Sequence, residues 1–122
     1  MKTFNYTLNQ KPIESMIDFS IFKNEKNLLI QIFCGEKKDI LEYILNVIAK
    51  ELPQAVCIGS STDGEINNSE ITTLNTVITI SVFKETTLKI VSVDEIDSFS
   101  NGVKLASLLC SEDTKLLITF TD

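Results

Sequence analysis

The architecture of this chain turns on Ala55-Val56-Cys57-Ile58-Gly59-Ser60-Ser61-Thr62-Asp63-Gly64-Glu65-Ile66. Its first four residues are apolar and short enough to read as a buried strand. Glycines, hydroxyls and acids then crowd together, and the polar run Asn67-Asn68-Ser69-Glu70 follows. A glycine- and hydroxyl-rich segment at a strand exit has two readings. It is either a polar connection capped by serine and aspartate side chains, or a ligand-binding loop of the kind that lies beyond the carboxyl ends of strands in α/β sheets. Gly59 and Gly64 would permit positive φ or close backbone approach at the two ends of the turn. Ser60, Ser61 and Thr62 offer three hydroxyls, each a donor and an acceptor.

Upstream, Leu28-Leu29-Ile30-Gln31-Ile32-Phe33-Cys34 is nearly continuous apolar sequence, as in a central strand covered on both faces. Gly35 ends it. From Glu36 to Glu51 the apolar residues Ile40, Ile44, Val47 and Ile48 fall on one stripe, widened by Leu41 and Leu45, which predicts a helix packed on a sheet. Acids in its first turn and Lys50 in its last match the helix dipole, and Pro53 stops it. Strand, helix and strand make a β-α-β unit with parallel strands and a right-handed crossover.

The flanks add further elements. Phe4, Tyr6 and Leu8 alternate with polar residues, predicting an N-terminal strand. Pro12 opens a short helix carrying Ile13, Met16 and Ile17. Thr76 to Lys84 reads as a long strand, and Thr87 to Val93 as its return across Glu85-Thr86, a β-hairpin. Asp94 to Glu112 reads as a helix capped by Ser98 or Ser100 and weakened by Gly102. Leu116 to Phe120 reads as a last strand, and an exposed edge there would favour association of copies. The expected fold is therefore α/β, a mixed sheet with a β-α-β unit, a β-hairpin and flanking helices.

At 122 residues the chain is expected to be one domain, residues 1–122, or a fragment of a longer one. Its apolar content of 43% and charged content of 23% are those of a globular protein. Eleven basic against 17 acidic residues give a net charge of −6 and no basic stripe, so neither nucleic acid nor an anionic membrane is an expected partner. No N-terminal signal segment and no membrane-length apolar run is visible. Cys34, Cys57 and Cys110 lie in or beside apolar runs at spacings that match no zinc site. They read as reduced core residues of a cytoplasmic protein.

The chain contains no histidine, which removes the commonest general base and metal ligand together. Ser60 and Ser61 thus have no evident base, and the glycines are spaced too widely for a nucleophile elbow. No lysine follows Gly64 as a phosphate-binding Walker loop requires, and Asp63 and Glu65 would repel a phosphate. Asp63, Glu65 and Glu70 could approach a cation, but calcium recruits six or more oxygens. No enzyme, cofactor or metal is expected. A small zwitterion is chemically compatible with the loop, since amides and hydroxyls hold a carboxylate and an acid holds an ammonium group.

Residues Ile58 to Ile66 resemble the Gly-Cys-Ser-Thr-Ala-Gly-Glu-Ile type signature of the FIST N domain. The surroundings agree from about Asn27 to Lys89: a hydrophobic strand, a helix, the Leu52-Pro53 connection, a strand into the signature, and a β-rich stretch. Two positions depart from the pattern. Ser60 stands where the family often has cysteine, and Asp63 where it often has a small residue. The resemblance implies an intracellular input module that senses small ligands such as amino acids and is joined to a signalling output domain or protein. On that reading Gly59, Ser60, Ser61, Thr62, Asp63, Gly64 and Glu65 contact or position the ligand. The alternative is a non-catalytic protein-interaction module in which this loop is structural.

Overall fold

The computed structural model describes residues 1–94 and 96–120. Strand β1 (Lys2–Thr7) is followed by the one-turn helix α1 (Ile13–Met16) and a 3-10 turn (Phe19–Phe22). Strand β2 (Asn27–Cys34), helix α2 (Lys38–Glu51) and strand β3 (Val56–Ser61) come next. Short strands β4 (Glu65–Asn67) and β5 (Glu70–Thr72), strand β6 (Thr76–Phe83) and helix α3 (Ser98–Leu109) complete the order. The α/β class is as expected from the sequence.

The main sheet has the order β1-β6-β2-β3. Strands β2 and β3 are parallel, from Leu29 opposite Val56 to Cys34 opposite Ser61. Strand β6 lies antiparallel to both β1 and β2. Residues directly opposite one another share a face. The pairs Leu28–Val82, Ile30–Ile80, Ile32–Ile78 and Cys34–Thr76 therefore form one buried row. Beside them pack Phe4, Tyr6 and Cys57 from the sheet, with Ile44, Ile48 and Leu52 closing the core. Phe4 and Phe22 meet edge to face, ring centroids 5.0 Å apart. Strand β2 alternates fully buried with half-buried residues, so its two faces are unequal, unlike the uniformly covered strand its composition suggested.

The crossover helix forms as its periodicity requires. Asp39 and Lys50 sit at the ends the dipole favours. The Leu52 amide closes the last turn on the Ile48 carbonyl, 2.8 Å away, immediately before Pro53. Glu36 lies outside this helix, which begins two residues later.

Three local expectations are corrected. The hairpin is β4–β5, not β6 and Thr87–Val93. Both sides of β6 are occupied, by β1 and β2, so a returning strand has no free edge there. Residues 87–93 carry no strand, and neither does Leu116–Phe120. Helix α3 is capped by neither Ser98 nor Ser100 but by Asp97, whose carboxylate accepts the Ser100 amide at 2.9 Å.

Two compact units divide the chain, residues 1–88 and 89–122. The first holds the whole main sheet and its core. The second contains α3, none of whose residues is buried. Among the described residues, no helix is long and apolar enough to cross a membrane.

Candidate functional site

A β-α-β unit releases its backbone at the carboxyl ends of its parallel strands, here Cys34 of β2 and Ser61 of β3. The signature divides at that point. Gly59, Ser60 and Ser61 belong to β3 rather than to a loop. Neither Gly59 nor Gly64 adopts positive φ, contrary to the freedom expected of them. Gly59 is required for a different reason: a Cβ there would run into the Ile32 carbonyl of the neighbouring strand. Ser60 and Ser61 are exposed, and the Ser60 hydroxyl is spent on the Ser61 carbonyl at 2.9 Å. Asp63 and Gly64 are also exposed.

Thr62 and Glu65 turn inward. The Thr62 amide donates to the Cys34 carbonyl at 3.0 Å, extending the β2–β3 ladder by one bond. Glu65 opens β4 and is 2% exposed. The Thr62 hydroxyl donates to its Oε1 at 2.5 Å, and the Thr72 hydroxyl to its Oε2 at 3.4 Å. No lysine pairs with it among the described residues, and the chain has no arginine. The carboxylate lies directly against Gly35, where a Cβ would overlap Oε1. Burying a carboxylate costs free energy unless its lone pairs are filled, and here two hydroxyls fill them.

Beyond the signature, the same end of the sheet gathers residues whose local sequence carried no signal. Asn75, buried at the start of β6, joins three segments. Its carbonyl accepts the Gly35 amide at 2.7 Å. Its Oδ1 accepts the amides of Asn9 and Thr76, both at 2.8 Å, and its Nδ2 donates to Asn9 Oδ1 at 3.0 Å. Thr76, fully buried, donates its hydroxyl to Glu36 Oε2 at 2.6 Å, with Cys34 Sγ 3.3 Å away. Asn9, Gln10 and Leu74 all have left-handed backbones, at φ 52°, 60° and 53°. Such strain costs of order 1–3 kcal/mol per residue and concentrates at functional sites.

An open cleft of about 200 Å³ lies at this end, between the segment Leu8–Ile13 and the first half of α2. Glu36, Ile40, Tyr43 and Ile44 form one wall, and Leu8, Gln10, Lys11, Pro12 and Ile13 the other. The walls are tied together at one side, where the Tyr43 hydroxyl donates to both carboxylate oxygens of Glu14, at 2.5 and 2.6 Å. That bond holds the Glu14 carboxyl below its ordinary pKa and raises the Tyr43 phenol. None of the signature residues Gly59 to Glu65 lines this cleft. Glu65 reaches it only indirectly, by bracing the Gly35 backbone from which Glu36 projects. Cys57, in the core behind, has its thiol pushed up to about 11 by burial.

Fold and site thus define an α/β domain with a polar crest at the carboxyl ends of two parallel strands and a small cleft beside it. Residues 28–122 match the family model of the FIST N domain, and the chain belongs to that family, which is associated with sensory signal transduction. No curated protein and no solved structure matches the chain.

Proposed function

We propose that this chain is a non-catalytic input module that binds a small molecule, an amino acid being the class the family resemblance implies, and conveys its occupancy to a signalling output partner in the cytoplasm. One observation carries the reading. The polar crest, three strained backbone positions and an open cleft all meet at one end of the sheet, the cleft lined by Glu36, held through one oxygen by Thr76, and by Lys11, which has no ion-pair partner among the described residues. A purely structural sheet end has no need of clustered backbone strain. A catalytic role has less support. The chain has no histidine, and the Ser60 hydroxyl is committed to a backbone carbonyl.

Calorimetric titration of the chain with the twenty amino acids tests the proposal. A saturable heat with at least one of them is expected, and flat heats across the panel would overturn it.

The alternative, a protein-interaction module with a structural signature loop, is favoured by one observation: Glu65 is buried and held by two hydroxyls. Melting temperatures of Ser61→Ala and Glu65→Gln separate the two roles within the loop. A loss of several degrees at Glu65 with none at Ser61 assigns Glu65 to the scaffold and leaves the exposed hydroxyls for contact.

A further inference from the structure

We propose that the cleft between Leu8–Ile13 and α2 is a binding site for a small aliphatic ammonium compound, with Glu36 as its anchor. This rests on the small-ligand reading above and moves the binding site away from the signature, which serves as its brace.

Glu36 is half-buried, and one of its oxygens is fixed by the Thr76 hydroxyl. Thr76 is itself fully buried and held through Asn75, so the carboxylate is oriented before any ligand arrives. The other carboxylate oxygen has no hydrogen-bond or ion-pair partner among the described residues. A carboxylate that is preset, partly desolvated and half-satisfied favours a cation able to donate hydrogen bonds. No lysine supplies one. Lys38 is engaged by Glu42 at 3.7 Å, and Lys11, although it lines the same cleft, pairs with neither Glu36 nor any other acid among the described residues.

The remaining lining sets the rest of the ligand. Leu8, Ile13 and Ile44 are already buried and form an apolar floor, and Ile40, 37% exposed on the cleft wall, supplies the apolar surface that a short aliphatic body would cover. The volume of about 200 Å³ is below that of sites for drug-sized ligands, so the ligand is small. Lys11 stands exposed at the rim, where a long flexible side chain can close on a carboxylate if the ligand carries one. The ammonium group is thus the required feature and a carboxylate an added one. A simple carboxylate would instead place its charge beside Glu36, which repels it.

Three probes of similar shape separate these features: 3-methylbutylamine, leucine and 3-methylbutanoate. Amide shifts in the 122-residue chain are followed by NMR at up to about 10 mM, a range suited to fragments of this size. The amine and leucine are expected to move the amides of Gln10, Lys11, Glu36 and Ile40, and the carboxylate to move none. Glu36→Gln, which keeps an acceptor for Thr76, should weaken both binders at least tenfold. Lys11→Ala should weaken leucine several-fold and leave the amine unchanged. Ile40→Phe, which fills the cleft while keeping the Glu36 carboxylate, should weaken both. The proposal is overturned by shifts centred on Gly59–Glu65, by 3-methylbutanoate binding as well as the amine, or by Glu36→Gln binding like the parent chain. No shift with any of the three probes also overturns it. A heat from another amino acid in the wider panel would then leave the sensing role standing without this site.

Discussion

Ser69 adopts φ 69° and Asn68 φ 50° in the two-residue connection between β4 and β5. Left-handed backbone at both positions is the type I′ hairpin pattern, which suits asparagine first and glycine second. Serine in the second position carries the Cβ penalty, so Ser69→Gly is expected to stabilise the chain by about 0.5–1 kcal/mol in urea denaturation. Gly35 and Glu65 make the converse case. Glu65→Ala leaves the Thr62 and Thr72 hydroxyls without their acceptor and should cost about 2 kcal/mol. Gly35→Ala drives a methyl into the Glu65 carboxylate and should cost about 1–3 kcal/mol. Since both losses arise at one contact, the double variant should be more stable than the sum of the two predicts, a coupling that a double-mutant cycle measures directly. Glu65 was visible in the sequence as one of two acids flanking Gly64, with nothing local to tell it from Asp63. Its partner Gly35 was not, because thirty residues separate them and only the parallel pairing of β2 with β3 brings the two strand exits together.

At the scale of elements, the join between α1 and α2 depends on pH. The Tyr43 hydroxyl lowers the Glu14 carboxyl from its ordinary 4.5, so the folded chain holds that proton more weakly than the unfolded one. This contribution is present above the unfolded pKa and is lost as pH falls through the folded one. Glu14 in turn raises the Tyr43 phenol from 10.0. That contribution is present below the unfolded pKa and is lost as pH rises through the folded one. Tyr43→Phe should therefore lower the melting temperature at neutral pH, with the difference from the parent chain narrowing both well below pH 4.5 and above pH 10. The elements themselves were legible to different degrees. Helix α2 declared itself through Ile40, Ile44, Val47 and Ile48 with Pro53 behind them. The segment Thr87–Val93, expected as a strand, carries none, since β6, the strand it was expected to pair with, has no free edge. The hairpin that does form lay in the polar run Asn67–Glu70, whose turn chemistry was a better signal than its hydrophobicity.

For the molecule as a whole, β2 and β6 are inner strands, each paired on both sides, while β1 and β3 end the sheet among the described residues. Hydrogen exchange followed residue by residue should find the slowest amides in Leu28–Cys34 and Val77–Val82, with residues 84–94 among the fastest. The three cysteines are not all core residues as their apolar surroundings suggested: Cys110 follows a helix with no buried residue and is exposed, Cys57 is half-buried with its thiol pushed up to about 11, and Cys34 is buried. Iodoacetamide at neutral pH should label Cys110 first and spare Cys34 and Cys57 until the chain unfolds, as peptide mass spectrometry would show. The sequence by itself determined the β-α-β unit, the parallel pairing within it and the family, because periodicity, stop signals and a short signature are all local properties of the chain. Only the tertiary structure decided strand order, which acid is buried, and where the cleft lies. Asn9, Gly35, Glu36, Asn75 and Thr76 are each unremarkable among their sequence neighbours, and they form a site because antiparallel β6 carries Asn75 and Thr76 to the exit of β2.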